Sequence, residues 1–162
     1  PYRRQRQMCI RDSFGNAQWV TCNSGCTSPV IKGGFFIEEP KKAEITICGL
    51  GFFRLWINGR EVSKDKFVPV NSQYCKRDLT AFEYPILDEL SYRTYAVRYD
   101  ISKFVIDGEN DIRVILGCGW FAQQKRSAEG FAKYGDIKLC YKIDVENKSG
   151  KKYTFVSDEN LE

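Results

Sequence analysis

The side chains available for chemistry in this 162-residue chain are carboxylates, thiols and aromatic rings, because the sequence contains no histidine. A Ser-His-Asp or Cys-His arrangement and a histidine-ligated catalytic metal therefore cannot be assembled from its own residues. Glycoside hydrolysis needs a pair of carboxyl groups at a defined separation, one of them with a raised pKa. The acidic pairs Asp88-Glu89 and Asp158-Glu159 are predicted to lie in solvated turns or strand ends. These residue types argue against an autonomous hydrolase.

Aromatic residues at a predicted strand exit are the first candidates for a binding surface. Trp120 and Phe121 directly follow Gly117 and Gly119. An aromatic ring offers an apolar platform for the C–H face of a sugar, while polar groups orient the hydroxyls. The alternative is that Trp120 packs in the core or against a neighbouring domain. Trp56, in an alternating strand, is predicted to be a core residue.

The seven cysteines have scattered spacings that do not suggest a disulfide framework. Cys48, Cys118 and Cys140 fall within apolar strand-like runs, as expected of buried free thiols in a reducing compartment such as the cytoplasm. Cys22 and Cys26 have the spacing of half a metal site, but no second pair follows them.

Charge and composition narrow the class of protein. The chain is 43% hydrophobic and 28% charged with a net charge of +4, which is typical of one soluble globular domain. Residues 1–13 carry four arginines and one aspartate, so the remainder has 25 − 4 = 21 basic and 21 − 1 = 20 acidic residues. Without a basic surface on the remainder, we expect no nucleic-acid partner. The first 13 residues lack the apolar run of a signal peptide, and no later run reaches the roughly 18–20 apolar residues of a membrane span.

Residues 1–13 (PYRRQRQMCIRDS) lack apolar periodicity, and the composition changes abruptly at Phe14. The run RRQRQMCIRDS resembles a translated sequencing adapter. A basic targeting arm and a disordered tail are the alternatives. We therefore predict a disordered or artefactual tail over 1–13 and one domain over 14–162 that is truncated at its C-terminus.

The elements that must position these residues are short strands. Residues 43–48 (AEITIC) alternate as a half-buried strand does, and Gly33-Gly34 predicts a bulge or a bend within 30–38. Asn58-Gly59 predicts a hairpin, because both residues tolerate the positive φ of a type I′ turn. With no helical periodicity, and with long loops predicted over 67–90 and 122–133, the pattern indicates an all-β antiparallel sandwich or jelly roll.

Several phrases together resemble the N-terminal β-sandwich domain of bacterial α-L-rhamnosidases of glycoside hydrolase family 78. The entering strand SPVIKGGFF at 28–36 fits the same pattern, whereas the excursion at 78–91 occurs in only some members. The resembling phrases are residues 41–62 (KKAEITICGLGFFRLWINGREV), 69–77 (PVNSQYCKR), 92–121 (YRTYAVRYDISKFVIDGENDIRVILGCGWF), 134–143 (YGDIKLCYKI) and 156–162 (VSDENLE).

The resemblance implies a parent enzyme, an inverting α-L-rhamnosidase, whose catalytic (α/α)6 barrel lies outside this chain. It also places Asn71, Tyr74 and Arg77 in a loop near one end of the sandwich, where they could orient sugar hydroxyls. Ordinary solvated polarity is the alternative explanation for these three residues.

The resemblance extends to a rhamnose-binding module that uses calcium, an ion that takes roughly 6–8 oxygen ligands. The densest oxygen cluster in the chain is also a turn signature, so both interpretations stay open. The calcium candidates are Asp107, Glu109, Asn110 and Asp111.

Two functions remain open from the sequence. The first is a non-catalytic accessory domain that packs on the catalytic barrel and shapes its substrate site. The second is a carbohydrate-binding module for L-rhamnose-containing glycans. The aromatic surplus in the loops favours the first.

Overall fold

The computed structural model describes residues 14–22, 26–70, 74, 94–123, 133–159 and 161. Within these ranges the secondary structure consists of strands, turns and bridges, and no helix there is long and apolar enough to cross a membrane. The strands are β1 (Val30–Ile37), β2 (Pro40–Leu50), β3 (Phe52–Ile57), β4 (Arg60–Glu61), β5 (Val97–Asp100), β6 (Gly108–Gly117), β7 (Lys138–Asn147) and β8 (Lys152–Val156).

The strands form two four-stranded sheets, with the order β1-β6-β3-β4 in the first sheet and β5-β2-β7-β8 in the second. Every pairing is antiparallel. The predicted all-β antiparallel sandwich is therefore confirmed, while the jelly-roll assignment stays a prediction.

The core lies between the sheets because period-2 alternation turns one apolar row of each strand inward. In β6, for example, Ile112, Val114 and Leu116 are at most 2% exposed, while Arg113 between them is exposed. The fully buried isoleucines come from both sheets and from the turn after β5, namely Ile37, Ile45, Ile47, Ile57, Ile101 and Ile143.

The Asn58-Gly59 hairpin is confirmed. Asn58 and Gly59 have φ values of 50° and 70°, and they connect β3 to β4. The Asn58 side chain also ties this turn to β6, because its Oδ1 accepts a hydrogen bond of 2.9 Å from the Asp111 amide. The turn is thus fixed both by its backbone and by a cross-strand contact.

Of the bulge or bend expected at Gly33-Gly34, the bulge is wrong. β1 pairs with β6 without a register shift from Val30↔Ile115 to Ile37↔Gly108. A Cβ on Gly33 would instead collide with the side chain of Leu161 and lie 3.3 Å from the Tyr141 hydroxyl. The glycine is needed because Leu161 packs against the inner side of β1. A glycine within a strand can indicate either a bulge or such a close approach, so the sequence alone does not distinguish them.

A second apolar cluster covers the outer face of the second sheet. Phe14, Cys48, Ala96 and Cys140 are all at most 7% exposed. The interpretation of 43–48 as a half-buried strand is therefore incomplete, because Cys48 on its outward row is buried as well. A strand whose side chains are buried on both faces needs a covering layer on its outer side, and the alternation of apolar and polar residues in the sequence does not show that layer.

That covering layer is the segment 14–22. Val20 forms an antiparallel bridge with Leu139 of β7. Nearby, the Gln18 amide donates to the Ser157 carbonyl at 2.7 Å, and the Thr21 hydroxyl donates to the Ile137 carbonyl at 2.7 Å. The segment thus occupies the edge of β7 that β8 leaves open, and it carries Phe14 over the two cysteines.

Gly51 connects β2 to β3 at a tightly packed position, and we predict that Gly51→Ala destabilises the fold. Its φ is 120°, and an added Cβ would collide with the Gly117 carbonyl oxygen and lie 3.1 Å from Ile137. The backbone strain alone should lower the free energy of unfolding by about 1–3 kcal/mol, measured by urea denaturation. Gly117→Ala is the matched control, because a Cβ there meets nothing within 4 Å. Equal effects of the two substitutions would contradict this account.

Candidate functional site

Apolar side chains gather at the end of the sandwich where β6 ends and β3 begins, a surface we call the aromatic end. Phe52 lies opposite Gly117 in the register, and Gly119 turns the chain with a φ of 51°. A Cβ on Gly119 would lie 3.1 Å from the Phe52 amide nitrogen, so the backbone before Trp120 passes close to the start of β3. The aromatic end consists of Phe52, Phe67, Val70, Tyr74, Trp120, Phe121 and Tyr134.

A backbone hydrogen bond to β3 holds Phe67 at this end. The Phe53 amide donates to the Val68 carbonyl at 2.8 Å. The rings of Phe52 and Phe67 then meet edge to face, with centroids 5.4 Å apart. Phe67 is nevertheless 70% exposed, so most of its ring faces outward.

Phe121 is the centre of a cluster of three rings. Its centroid lies 5.0 Å from that of Tyr74 and 6.1 Å from that of Tyr134. The Tyr134 amide donates to the Phe121 carbonyl at 2.9 Å, and Ala122 forms a bridge with Lys133, so the backbone holds the rings together. Phe121 is only 9% exposed, and it therefore positions Tyr74 and Tyr134 rather than presenting a face of its own.

Trp120 differs from Phe121 in this respect, since it is 47% exposed. Val70 and Tyr134 are exposed to a similar extent. Several large apolar groups exposed at one end of a domain are typical of a binding or docking surface. The opposite end exposes Phe36 and Ile106.

The other sequence-predicted sugar contacts are only partly placed. Tyr74 lies within the aromatic end, packed against Phe121 and Tyr134. Asn71 and Arg77 fall outside the described residues. A sugar-binding role for these residues stays a prediction.

The four calcium candidates lie at the start of β6, where Asn110 has a structural role. Its buried side chain accepts hydrogen bonds from the Ile106 amide at 2.8 Å and from Asn58 Nδ2 at 2.7 Å. It donates to the carbonyls of Ile106 and Gly108. The turn that this oxygen-rich signature predicts is short, since β6 already begins at Gly108.

The carboxylates of this cluster have different surroundings. Asp107 Oδ1 accepts a hydrogen bond of 2.7 Å from the Glu39 amide, which caps the connection between β1 and β2. Asp111 and Glu109 are exposed on the outward row of β6. Among the described residues, no group of three or more His, Cys, Asp or Glu side chains could hold a metal ion. Calcium binding by this cluster remains a prediction.

Burial, rather than a catalytic environment, shifts the ionisable groups of the core. Burial, followed by the charge of Cys140, raises the pKa of Cys48 to about 12. Burial, followed by the charge of Asp65, raises the pKa of Tyr99 to about 12. A thiol with a raised pKa stays protonated near neutral pH and is a poor nucleophile. These groups therefore act in packing.

Comparisons with known proteins all find α-L-rhamnosidases among the relatives of this chain. Residues 38–162 match the sequence model of the α-L-rhamnosidase N-terminal domain. An α-L-rhamnosidase from Formosa agariphila is 29% identical over 127 residues, which are 75% of this chain and 12% of that protein. The chain therefore spans about an eighth of the length of this relative.

Two solved structures share the fold. An α-L-rhamnosidase from Streptomyces avermitilis, in complex with L-rhamnose, superposes with a TM-score of 0.66 at 21% identity and covers 83% of this chain and 12% of that one. An α-L-rhamnosidase from Aspergillus terreus superposes with a TM-score of 0.67 at 19% identity and covers 93% of this chain and 16% of that one. At these identities the likeness shows the fold alone.

We predict that Asn110→Ala lowers the free energy of unfolding by about 2–4 kcal/mol, because it leaves the buried polar groups around the start of β6 without partners. The measurement is urea denaturation, repeated with calcium and with a chelator. If Asn110 serves only the fold, the loss is the same in both conditions. Glu109→Ala, an exposed neighbour, is the control and should change stability little. A calcium-dependent loss would instead show that the cluster binds the ion.

We predict that stability falls as pH rises above the ordinary pKa of a thiol. Cys48 has a folded-state pKa of about 12 against an ordinary value of 9.0, so the unfolded state loses its proton first. Its contribution is fully present below pH 9.0 and is lost as pH rises toward about 12. Urea denaturation at increasing pH should show this decline, and Cys48→Ala should reduce its slope. An unchanged slope in the variant would contradict the assignment.

Proposed function

The chain belongs to the α-L-rhamnosidase N-terminal domain family, and from this we propose that it is a non-catalytic accessory domain of a longer α-L-rhamnosidase. In this proposal it packs on the catalytic (α/α)6 barrel of the same parent chain and shapes the rim of the substrate site. The residues that cleave the glycosidic bond, with inversion, are then supplied by the barrel.

The observation that carries the proposal is the aromatic end. Phe67, Val70, Trp120 and Tyr134 are 45–70% exposed there. Aromatic side chains are enriched at the centres of protein interfaces, since their large apolar surfaces are best removed from water. The buried ring of Phe121 and the backbone bond to Tyr134 hold this surface in shape before any partner arrives. Such a surface is suited to packing against a neighbouring domain.

A carbohydrate-binding module for L-rhamnose-containing glycans, with or without calcium, is the second candidate. Trp120 favours it, because the residue is 47% exposed and an exposed aromatic side chain can contact the apolar face of a sugar. The relative from Streptomyces avermitilis was solved in complex with L-rhamnose. The two functions differ in what covers Trp120, a protein surface or a sugar.

The described cysteines bear on where the parent enzyme works. Cys22, Cys26, Cys48, Cys118 and Cys140 are thiols rather than disulfides. Free thiols, two of them buried in direct cross-strand register, are typical of proteins that stay in a reducing compartment. We therefore propose a cytoplasmic enzyme.

We predict that the aromatic end docks on the catalytic region of the parent enzyme when the two are produced as separate polypeptides. The wild-type chain should co-elute with the catalytic region in size-exclusion chromatography. Replacing both Phe67 and Trp120 by Ser should weaken the complex by roughly tenfold or more, because exposed aromatic anchors contribute much of the binding free energy of an interface.

The matched control replaces Phe36 and Ile106 by Ser, because these side chains are similarly exposed at the opposite end. Docking that survives the Phe67/Trp120 substitutions and disappears in the control would show that the interface lies at the opposite end, which would overturn the proposal.

Calorimetry with L-rhamnose, with calcium or a chelator, tests the second candidate. Heat abolished by Trp120→Ala would establish sugar binding, and no heat at millimolar sugar would exclude it.

A further inference from the structure

The first sheet ends at β1, which is the longest edge strand of the described residues. β1 has eight residues and pairs with β6 on one side, whereas the other edge strands β4, β5 and β8 have two, four and five. Its register with β6 is continuous, so no bulge twists it away. Proteins usually protect such an edge with a short strand, a proline, a bulge or several charges, because an unpaired edge binds other strands. The one charged residue in β1 is Lys32.

Alternate residues of β1 direct their backbone groups away from β6, along a side of the strand that we call the free edge. The Leu116 amide donates to the Pro29 carbonyl at 3.0 Å, so Pro29 faces β6. The direction of these groups alternates along an antiparallel strand, which places every second residue after Pro29 on the same side as it. The residues of the free edge are therefore Val30, Lys32, Gly34 and Phe36. Their amides and carbonyls form no hydrogen bond within the described ranges.

The side chains of the free-edge residues lie on the outer face of the sheet and are exposed. Val30 is 43% exposed at one end of the strand, and Phe36 is 54% exposed at the other. Exposed apolar side chains beside unpaired backbone groups are typical of a surface that is covered by a partner. The partner that fits this edge is another extended strand.

A second copy of β1 fits the free edge in one antiparallel register. With Val30 opposite Phe36 of the second copy, Lys32 lies opposite Gly34, and all the free backbone groups are paired about a two-fold axis at Gly33. Val30 and Phe36 then form an apolar cross-strand pair at each end of the contact. Because Gly34 has no side chain, it leaves room for the aliphatic stem of Lys32. The edge is thus complementary to itself.

The neighbouring registers fit less well. A shift of two residues in one direction sets Lys32 opposite Lys32 of the second copy, and like charges directly opposite each other are destabilising. A shift of two residues in the other direction sets Phe36 opposite Lys32 and leaves Val30 without a β1 residue opposite it. A shift of one residue sets free backbone groups against groups that are already bonded to β6. The register that pairs every free group is therefore also the one that keeps the two lysines apart.

We propose that β1 is a self-association edge, at which two copies of this chain form a closed dimer. The first sheets of the two copies then join into one sheet, with four strands from each copy. The dimer is closed because the two-fold axis uses the same edge of both copies. β1 shares no residue with the aromatic end, so this proposal and the docking of the aromatic end can fail separately.

Sedimentation equilibrium of the full 162-residue chain tests the proposal. We expect the mass of a dimer as the concentration is raised and of a monomer on dilution. Val30→Glu combined with Phe36→Glu should weaken the dimer by about tenfold or more, because two glutamates then face each other at each end of the contact. Val30→Lys combined with Phe36→Glu should dimerise more tightly than the double-glutamate variant, because opposite charges then face each other. Urea denaturation of each variant checks that the monomer is folded.

The matched control is Phe67→Glu combined with Val70→Glu, which makes the same change in net charge at exposed apolar residues of the aromatic end. Its dimer should be as tight as that of the wild-type chain. A monomer at every concentration, equal losses in the two double-glutamate variants, or no gain in the Lys/Glu variant would each overturn the proposal. A mass that keeps growing beyond two copies would also overturn it, since a closed dimer cannot grow.

Amide hydrogen exchange locates the contact. The free-edge amides should exchange slowly in the dimer and rapidly in the double-glutamate variant. The Ile31 and Phe35 amides, which face β6, should stay protected in both and serve as the internal reference. Rapid exchange of the free-edge amides in the dimer would show that the copies meet elsewhere. Slow exchange in the monomeric variant would show that another part of the chain covers the edge, which would equally overturn the proposal.

Discussion

The register of β6 between β1 and β3 is the constraint on which the rest of the structure depends. Its inward row supplies Ile112, Val114 and Leu116 to the core. The same register decides what its outward row meets and where the chain leaves the sheet at Gly117. A slip of one residue would exchange the two rows, exposing the core side chains and burying Arg113. Hydrophobic burial therefore fixes the positions of groups that have no part in the core.

The aromatic end is one consequence of this register. The exit of β6 at Gly117 and the turn at Gly119 bring Trp120 to the aromatic end. The middle of the same strand sets Arg113 between Lys32 and Trp56. At the start of the strand, the Asn110 side chain joins β6 to the Asn58 turn.

The family relationship and the physical features bear on different parts of the function. Membership in the α-L-rhamnosidase N-terminal domain family identifies the domain without saying which of its surfaces has which role. Exposure and ring packing separate Trp120, which faces outward, from Phe121, which supports its neighbours. The raised pKa of Cys48 likewise reflects packing beneath Phe14 rather than reactivity.

The sequence by itself determined the features that depend on near neighbours along the chain. The Asn58-Gly59 turn follows from tolerance of positive φ, the inward rows follow from period-2 alternation, and the family resemblance follows from the order of its phrases. Only the tertiary structure decided the roles of Gly33, Cys48 and Phe121. It also decided that Lys32 and Arg113 are neighbours, because cross-strand pairing and a covering segment join residues far apart in the sequence. Local preferences act through the backbone of a few residues, whereas burial and register are set by the packing of the whole sandwich.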